Sequence, residues 1–306
     1  MRYEHLKHHD TVFLKMTGLR IGEFDALVEE LLPEFVQVEY ERLNRADRQR
    51  QIGGGRNAKL DGRDQLLLGI VWLRVYPTHE VLGYLLGVSD STVSRIIPRV
   101  LPVLEQAGRD TMRMPDPGRK RRRSLDQLLS DTPELAVVID SFEQKVQRPK
   151  DPNERDEFYS GKKKTHTLKS QIAVNEESGT IVDVSDSVPG PMADITLLEQ
   201  SGLMKRLPEG VGGMGDLAYV GIEKLHPQGL AASPRRKPRG KPRPPEDVVY
   251  NTAFSRRRII VENTIGRLRR YQSLSQTDRQ HRQNHAAPVR AVAGLVNRQL
   301  AHRMPA

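Results

Sequence analysis

The chain has 306 residues, 37% of them hydrophobic, enough for one large domain or two ordinary ones. It has no cysteine, which excludes disulfide frameworks and Cys-ligated zinc, and no apolar run nears the ~18–20 residues of a membrane span. A formal charge of +10 predicts attraction to polyanions, and the N-terminus lacks the apolar stretch of a signal peptide, so the expectation is a soluble, intracellular protein.

Residues 17–46 place Phe24, Leu27, Leu31 and Phe35 at helical spacing. Pro33 in their midst predicts a break into two helices. RQRQIGGGRNAKL then reads as a polar, glycine-rich loop. Its glycines are not followed by the GK[ST] of a phosphate loop, so it is not a nucleotide site.

Residues 61–107 read as a compact helical unit. DGRDQLLLGIVWLRVY predicts a buried helix with Asp61 or Asp64 near its cap. Thr78 to Leu86 predicts a short helix stopped at Gly87, since glycine tolerates the left-handed conformation. Ser89 or Asp90 then caps a second helix beginning near Ser91. That helix presents Ser91, Thr92, Ser94 and Arg95 outward and turns Val93, Ile96 and Ile97 to its partners. A short helix, a glycine turn and a second helix opening with small polar residues make the helix-turn-helix pattern, whose second helix suits the major groove of DNA. An ordinary helical hairpin is the alternative. Pro98 and Pro102 predict an interruption or an end of the helix there.

Residues 108–134 read as a linker with a short helix. It carries the basic run Arg119 to Arg123, in which Arg121, Arg122 and Arg123 are candidate phosphate contacts. Composition changes near residue 125. The predicted division is a helical DNA-binding domain over 1–124 and a catalytic domain over 125–306.

LAVVID, Leu135 to Asp140, predicts a buried strand with a carboxylate at its end. KTHTLKSQIAV and TIVDVSDSV predict two more strands joined by a turn at NEESG. Lys162, Lys163 and Lys164, just before them, contact phosphate or belong to a solvated loop. DITLLEQSGLMKRL predicts an amphipathic helix capped near Asp194, and GVGGMGDLAYVG a short strand or turn carrying Asp216. A proline-rich basic run over Arg235 to Arg243 precedes a helix, SRRRIIVENTIGRLRR, which sets a single acid, Glu262, among arginines. His285 to His302 predicts a final helix.

One acid ends a central strand, a second follows a later short strand, and a third lies on a helix. A mixed sheet flanked by helices can bring two strand ends together beneath a helix. Converging carboxylates of Asp140, Asp216 and Glu262 would hold two Mg²⁺ ions, with Mn²⁺ as a substitute, because hard cations prefer oxygen. Two such ions can act on both sides of a phosphodiester. Arg258 and Arg269 share the Glu262 side of the helix and can face DNA phosphates. Any one of these acids alone is more often solvated or salt-bridged; element type and order together carry the reading. Asp194, in GPMADITLL, competes for the role of second acid, with a helix cap as its bland explanation.

These blocks resemble those of DDE-type insertion-sequence transposases, in the insertion-sequence-five group and its Harbinger-like relatives, over about residues 15–300. VVID is similar to the first catalytic block, with Asp140. GDLAY is similar to the second, with Asp216 and Tyr219. The family's third block reads Tyr, two residues, Arg, three residues, Glu, six residues, Lys. Arg258 and Glu262 stand in that register, with Arg269 at the lysine position and Ser255, beside Phe254, at the tyrosine position. GKKKTHTLKSQIAV resembles the strand that follows the first acid.

The resemblance implies an α/β architecture: an RNase H-like mixed sheet flanked by helices, preceded by an all-α helix-turn-helix domain. It implies a metal-dependent enzyme that binds double-stranded DNA at the element's terminal inverted repeats, exposes 3′-hydroxyls and joins them to target DNA, without a covalent protein intermediate. Joining two ends implies a homo-oligomer, working in the cytoplasm at the nucleoid and at no membrane. The rival readings are a DNA-binding regulator with a non-catalytic domain and a domesticated transposase that only binds. The presence of all three acids argues against the regulator.

Overall fold

The computed structural model describes residues 1–49, 51–52, 58–116 and 135–303. Arg121, Arg122 and Arg123, the linker helix and the boundary expected near residue 125 lie outside the described residues. The chain opens with α1 (Tyr3–Leu6), α2 (Asp10–Thr17), α3 (Ile21–Leu43), α4 (Gly62–Val75), α5 (His79–Leu86) and α6 (Asp90–Asp110). Then come β1 (Leu135–Lys145), α7 (Pro152–Phe158), β2 (Tyr159–Ser160), β3 (Thr165–Asn175), β4 (Ile181–Val184) and β5 (Val188–Pro189). Next, α8 (Asp194–Ser201), α9 (Leu203–Arg206), β6 (Gly212–Met214) and β7 (Ala231–Ala232) lead to α10 (Pro245–Leu268), α11 (Gln272–Ser275) and α12 (Ala286–Ala301).

Two compact units result. The first holds Met1–Asp110, Arg270–Gln276 and the tail from Arg290, and the second holds the chain from Thr111 to Arg269 with Thr277–Val289. The sequence reading put everything after residue 124 in one domain; two late segments instead group with the first unit.

In the first unit α3 runs unbroken through Pro33. It buries Phe24, Leu27, Val28, Leu31 and Phe35 on both sides of the proline. At roughly 1.5–3 kcal/mol per buried side chain, that face outweighs the ~3 kcal/mol a mid-helix proline costs. Thr78 caps α5, Gly87 ends it at φ 70°, and the Ser89 hydroxyl accepts the Thr92 amide at 3.2 Å. Ser91, Ser94 and Arg95 are exposed and Thr92 half-buried, while Val93, Ile96 and Ile97 are buried. The interruption expected at Pro98 and Pro102 does not occur, because both prolines lie on the exposed side of α6, four residues apart, where water can satisfy the carbonyls they leave free.

The tail completes this unit. Arg298 donates two hydrogen bonds to the Glu30 carboxylate, each 2.7 Å, and Gln299 donates to the Gly18 carbonyl at 2.6 Å. Gly294 meets Gly108 so closely that a Cβ on Gly294 would come within 2.3 Å of the Gly108 Cα.

The second unit is a mixed sheet flanked by helices, with strand order β2-β3-β1-β6-β7 and with β4 and β5 also paired to β3. β1 is antiparallel to β3 and parallel to β6. Asp140 does not end β1, contrary to expectation: the strand continues to Lys145 because residues 140–145 pair with residues 167–172 of β3. What stops beside Asp140 is the parallel neighbour, whose last pair is Val138 with Met214. Among the described residues, no helix is long and apolar enough to cross a membrane.

Candidate active site

The β1–β6 register places two acids side by side. Val138 pairs with Met214, so two residues further on Asp140, still inside β1, lies beside Asp216, just past the end of β6. Adjacent strands are ~4.8 Å apart. Asp216 follows Gly215, where any Cβ would fall 2.5 Å from the Tyr219 ring, so only glycine lets that ring tuck under the turn. The Asp216 carboxylate accepts the Ala218 amide at 2.8 Å and caps a single 3-10 turn.

α10 carries the third acid, linked to Asp140 through Arg258. Phe254, Val261 and Leu268 are buried along one stripe, which leaves Arg258 and Glu262 at its border. Arg258 Nη2 lies 3.4 Å from Asp140 Oδ2 and 3.9 Å from Glu262 Oε1. Glu262 is 59% exposed at its side chain, against 14% for Arg258. The Arg258 Nε is buried without a hydrogen-bond partner among the described residues. Arg269, expected on the Glu262 side of the helix, is the exposed C-cap of α10, two turns further along.

Asp194 is bound elsewhere. It is the first residue of α8, and the cap position is Ala193, whose side chain makes no cap bond. The Asp194 Oδ1 instead accepts the Ser141 hydroxyl at 2.6 Å and lies 2.8 Å from the Lys169 ammonium.

Charge at the site is unbalanced. Burial pushes the Asp140 carboxyl up to about 6, with the Asp216 and Asp194 charges adding; the Ser141 amide and the Arg258 guanidinium oppose. The buried Tyr219 phenol is raised well above its ordinary range by burial and by the same three acids. A divalent cation would relieve this excess of negative charge, and an all-oxygen donor set suits Mg²⁺ or Mn²⁺. Among the described residues no three such acids are already gathered around one point. The residues therefore fit a metal in kind, with Glu262 having to turn inward past Arg258.

The sequence of residues 139–297 matches the family model described as DDE superfamily endonuclease, and residues 58–110 match that of its helix-turn-helix. The chain belongs to the DDE superfamily of endonucleases. It is 30% identical over 94% of its length, and 94% of the relative's, to the probable transposase for insertion sequence element IS702 from Microchaete diplosiphon. HARBI1 of Homo sapiens is 24% identical over 60% of this chain and 50% of its own length. The crystal structure of a pre-cleavage Mos1 transpososome covers 96% of this chain and 95% of its own at 11% identity, with a TM-score of 0.22.

Within this DDE chain the structure thus brings Asp140 beside Asp216 and puts Arg258 between Asp140 and Glu262. Sequence reasoning missed Ser141, Lys169 and Gln171. One signal was available: THTLKSQIAV reads as a buried strand, yet it carries a lysine and a glutamine on one side, both of which prove buried.

Proposed function

We propose that this member of the DDE superfamily is a transposase that binds the terminal inverted repeats of its element, cuts there and joins the freed 3′-hydroxyls to target DNA. One observation carries the reading: the parallel register that sets Asp140 beside Asp216, with Arg258 of α10 reaching both Asp140 and Glu262. The resemblance to the IS702 transposase across nearly the whole chain supports it.

Asp140 and Asp216 would hold divalent cations, Mg²⁺ or Mn²⁺, and Glu262 would complete the set. Two such ions, when bound, supply activation of the attacking oxygen and stabilisation of the leaving one. Water attacks in the cutting step and the 3′-hydroxyl in the joining step, so no side chain serves as nucleophile. Arg258 and Arg269 face the DNA phosphates. Arg258 is the better placed of the two, since its guanidinium already lies at the acids. Ser91, Thr92, Ser94 and Arg95 open α6 as a recognition helix, with Arg95 reading a base edge. Arg121, Arg122 and Arg123 add sequence-independent phosphate contacts. Joining two ends to one target calls for a homo-oligomer on double-stranded DNA.

The test is to incubate pure protein with Mg²⁺ and DNA carrying the element's own ends, and to map the cuts. Cuts at the repeat termini that leave 3′-hydroxyls are expected. Tight binding without cutting in either Mg²⁺ or Mn²⁺ would favour the regulator reading.

A further inference from the structure

Successive side chains of β1 point to opposite faces of the sheet. Asp140 is on the face that meets Arg258 of α10, so Ser141 is on the other. Ser141 pairs across β3 with Gln171, and Glu143 with Lys169, which puts Gln171 and Lys169 on the face of Ser141. There the Lys169 ammonium, only 7% exposed as a residue, sits 2.8 Å from Asp194 Oδ1 and also donates to the Met192 carbonyl. The same Asp194 oxygen accepts the Ser141 hydroxyl at 2.6 Å, and the Ser141 amide donates to Asp140 Oδ1 at 2.8 Å. Gln171 ties the Asp194 carbonyl, at 3.2 Å, to the Tyr219 hydroxyl, at 2.9 Å. Tyr219 is the ring packed under Gly215, next to Asp216.

We infer that Lys169, Asp194 and Ser141 form a positioning relay that fixes the Asp140 carboxylate from the opposite face of the sheet. A buried ion pair adds little net stability over apolar residues of the same size, so stability alone does not account for this one. The groups behind a metal ligand set its orientation, and losing one typically costs 10–100-fold in metal affinity. The relay also removes Asp194 from contention as second acid: its Oδ1 is taken by Ser141 and Lys169, on the side of β1 away from α10. Gln171 and Tyr219 extend the same polar layer toward Asp216. The inference rests on the reading of Asp140 as a metal-binding carboxylate.

The experiment titrates Mn²⁺ into the full-length protein without DNA and follows free Mn²⁺ by its paramagnetic resonance signal. Asp140→Ala should abolish the site; if it binds Mn²⁺ like wild type, the metal reading fails and the relay with it. Ser141→Ala and Asp194→Asn should each weaken Mn²⁺ about tenfold, with Ser141→Thr restoring it. The double replacement Lys169→Met with Asp194→Leu removes both buried charges, so it should fold yet still bind Mn²⁺ weakly. Loss of Mn²⁺ in Asp140→Ala alongside wild-type affinity in Ser141→Ala and in the double variant would overturn the relay and leave a structural ion pair.

Discussion

The Arg258 guanidinium lies 3.4 Å from the Asp140 carboxylate, two residues past the last pair of β1 with β6. It also reaches to 3.9 Å from Glu262 and so stands between two of the proposed metal ligands. Arg258→Ala should therefore leave Mn²⁺ binding as tight as in wild type or tighter, because a competing positive charge is gone. Cleavage should still fall about 10²–10³-fold, the usual cost of removing one electrostatic donor from a transition state. Mn²⁺ titration beside single-turnover cleavage checks this. Weakened Mn²⁺ binding would show that Arg258 supports the carboxylates rather than competing for them.

Asp140 gives a pH-dependent stability. Its folded-state carboxyl is pushed up to about 6, mainly by burial, so the folded protein holds a proton that the unfolded chain gives up near its ordinary value of 3.8. The stability linked to this group is therefore fully present below that value and is lost as pH rises through about 6. Asp140→Asn stays neutral. Without metal it should be more stable than wild type at pH 7.5 by about 1–3 kcal/mol, with the difference shrinking toward pH 4. Urea unfolding at the two pH values is the measurement, and an equal difference at both would remove the carboxyl as its source.

The tail from Arg290 belongs to the first unit. Deleting residues 286–306 should remove the Arg298–Glu30 and Arg290–Glu105 ion pairs and expose the residues that Val292, Leu295 and Val296 cover. Three buried aliphatic side chains amount to roughly 5–9 kcal/mol, comparable to a domain's whole stability. A fragment of residues 1–124 should thus show low helicity by circular dichroism and no specific DNA binding. A well-folded fragment with full binding would make the tail dispensable.

Arg95 is exposed on the first turns of α6. Arg95→Ala should cost about 1–3 kcal/mol on element ends and relax sequence preference. Neutralising Arg121, Arg122 and Arg123 should weaken binding to all sequences and flatten its salt dependence. Equal loss on specific and random DNA for Arg95→Ala would place that side chain on the backbone.

Local pattern made much of this legible. The glycine turn, the Ser89 cap and the outward Ser91, Ser94 and Arg95 follow from helical period and capping chemistry within a dozen residues. The candidate acids could be picked out because the type and order of the elements that carry them can be read locally. Pairing across the sheet could not be read the same way. That β1 runs past Asp140 depends on β3, and that Asp194 is tied down depends on Lys169, 25 residues before it. The proline positions misled because burial of a whole helix face outweighs one lost hydrogen bond in α3, and because both prolines of α6 lie on its exposed side. The return of the tail to Gly108 and Glu30 is a contact across most of the chain, which no local period encodes.

The basic run after Asp216 is rooted on α10: Arg235 stacks on Tyr250, 4.4 Å from its centroid, bonds Asp247 at 3.1 Å and exchanges two hydrogen bonds with Asn251. Arg236, Lys237, Arg239 and Lys241 beyond that root are exposed. End DNA should block tryptic cutting there, and replacing these four by serine should slow cleavage. Equal nicking with and without DNA, together with normal cleavage by the serine variant, would reduce the run to a connection.

The central claim is that Asp140, Asp216 and Glu262 act as one metal-holding set that cuts DNA, with Asp194 outside it. The most direct measurement is cleavage of end DNA in saturating Mg²⁺ by Asp140→Ala, Asp216→Ala, Glu262→Ala and Asp194→Asn, with end binding followed in parallel. The account predicts that the first three bind ends but do not cut, that doubles among them are no worse than singles, and that Asp194→Asn, slow at low metal, recovers as Mg²⁺ is raised. Normal cutting by Asp216→Ala, with Asp194→Asn dead at every Mg²⁺ concentration, would contradict it.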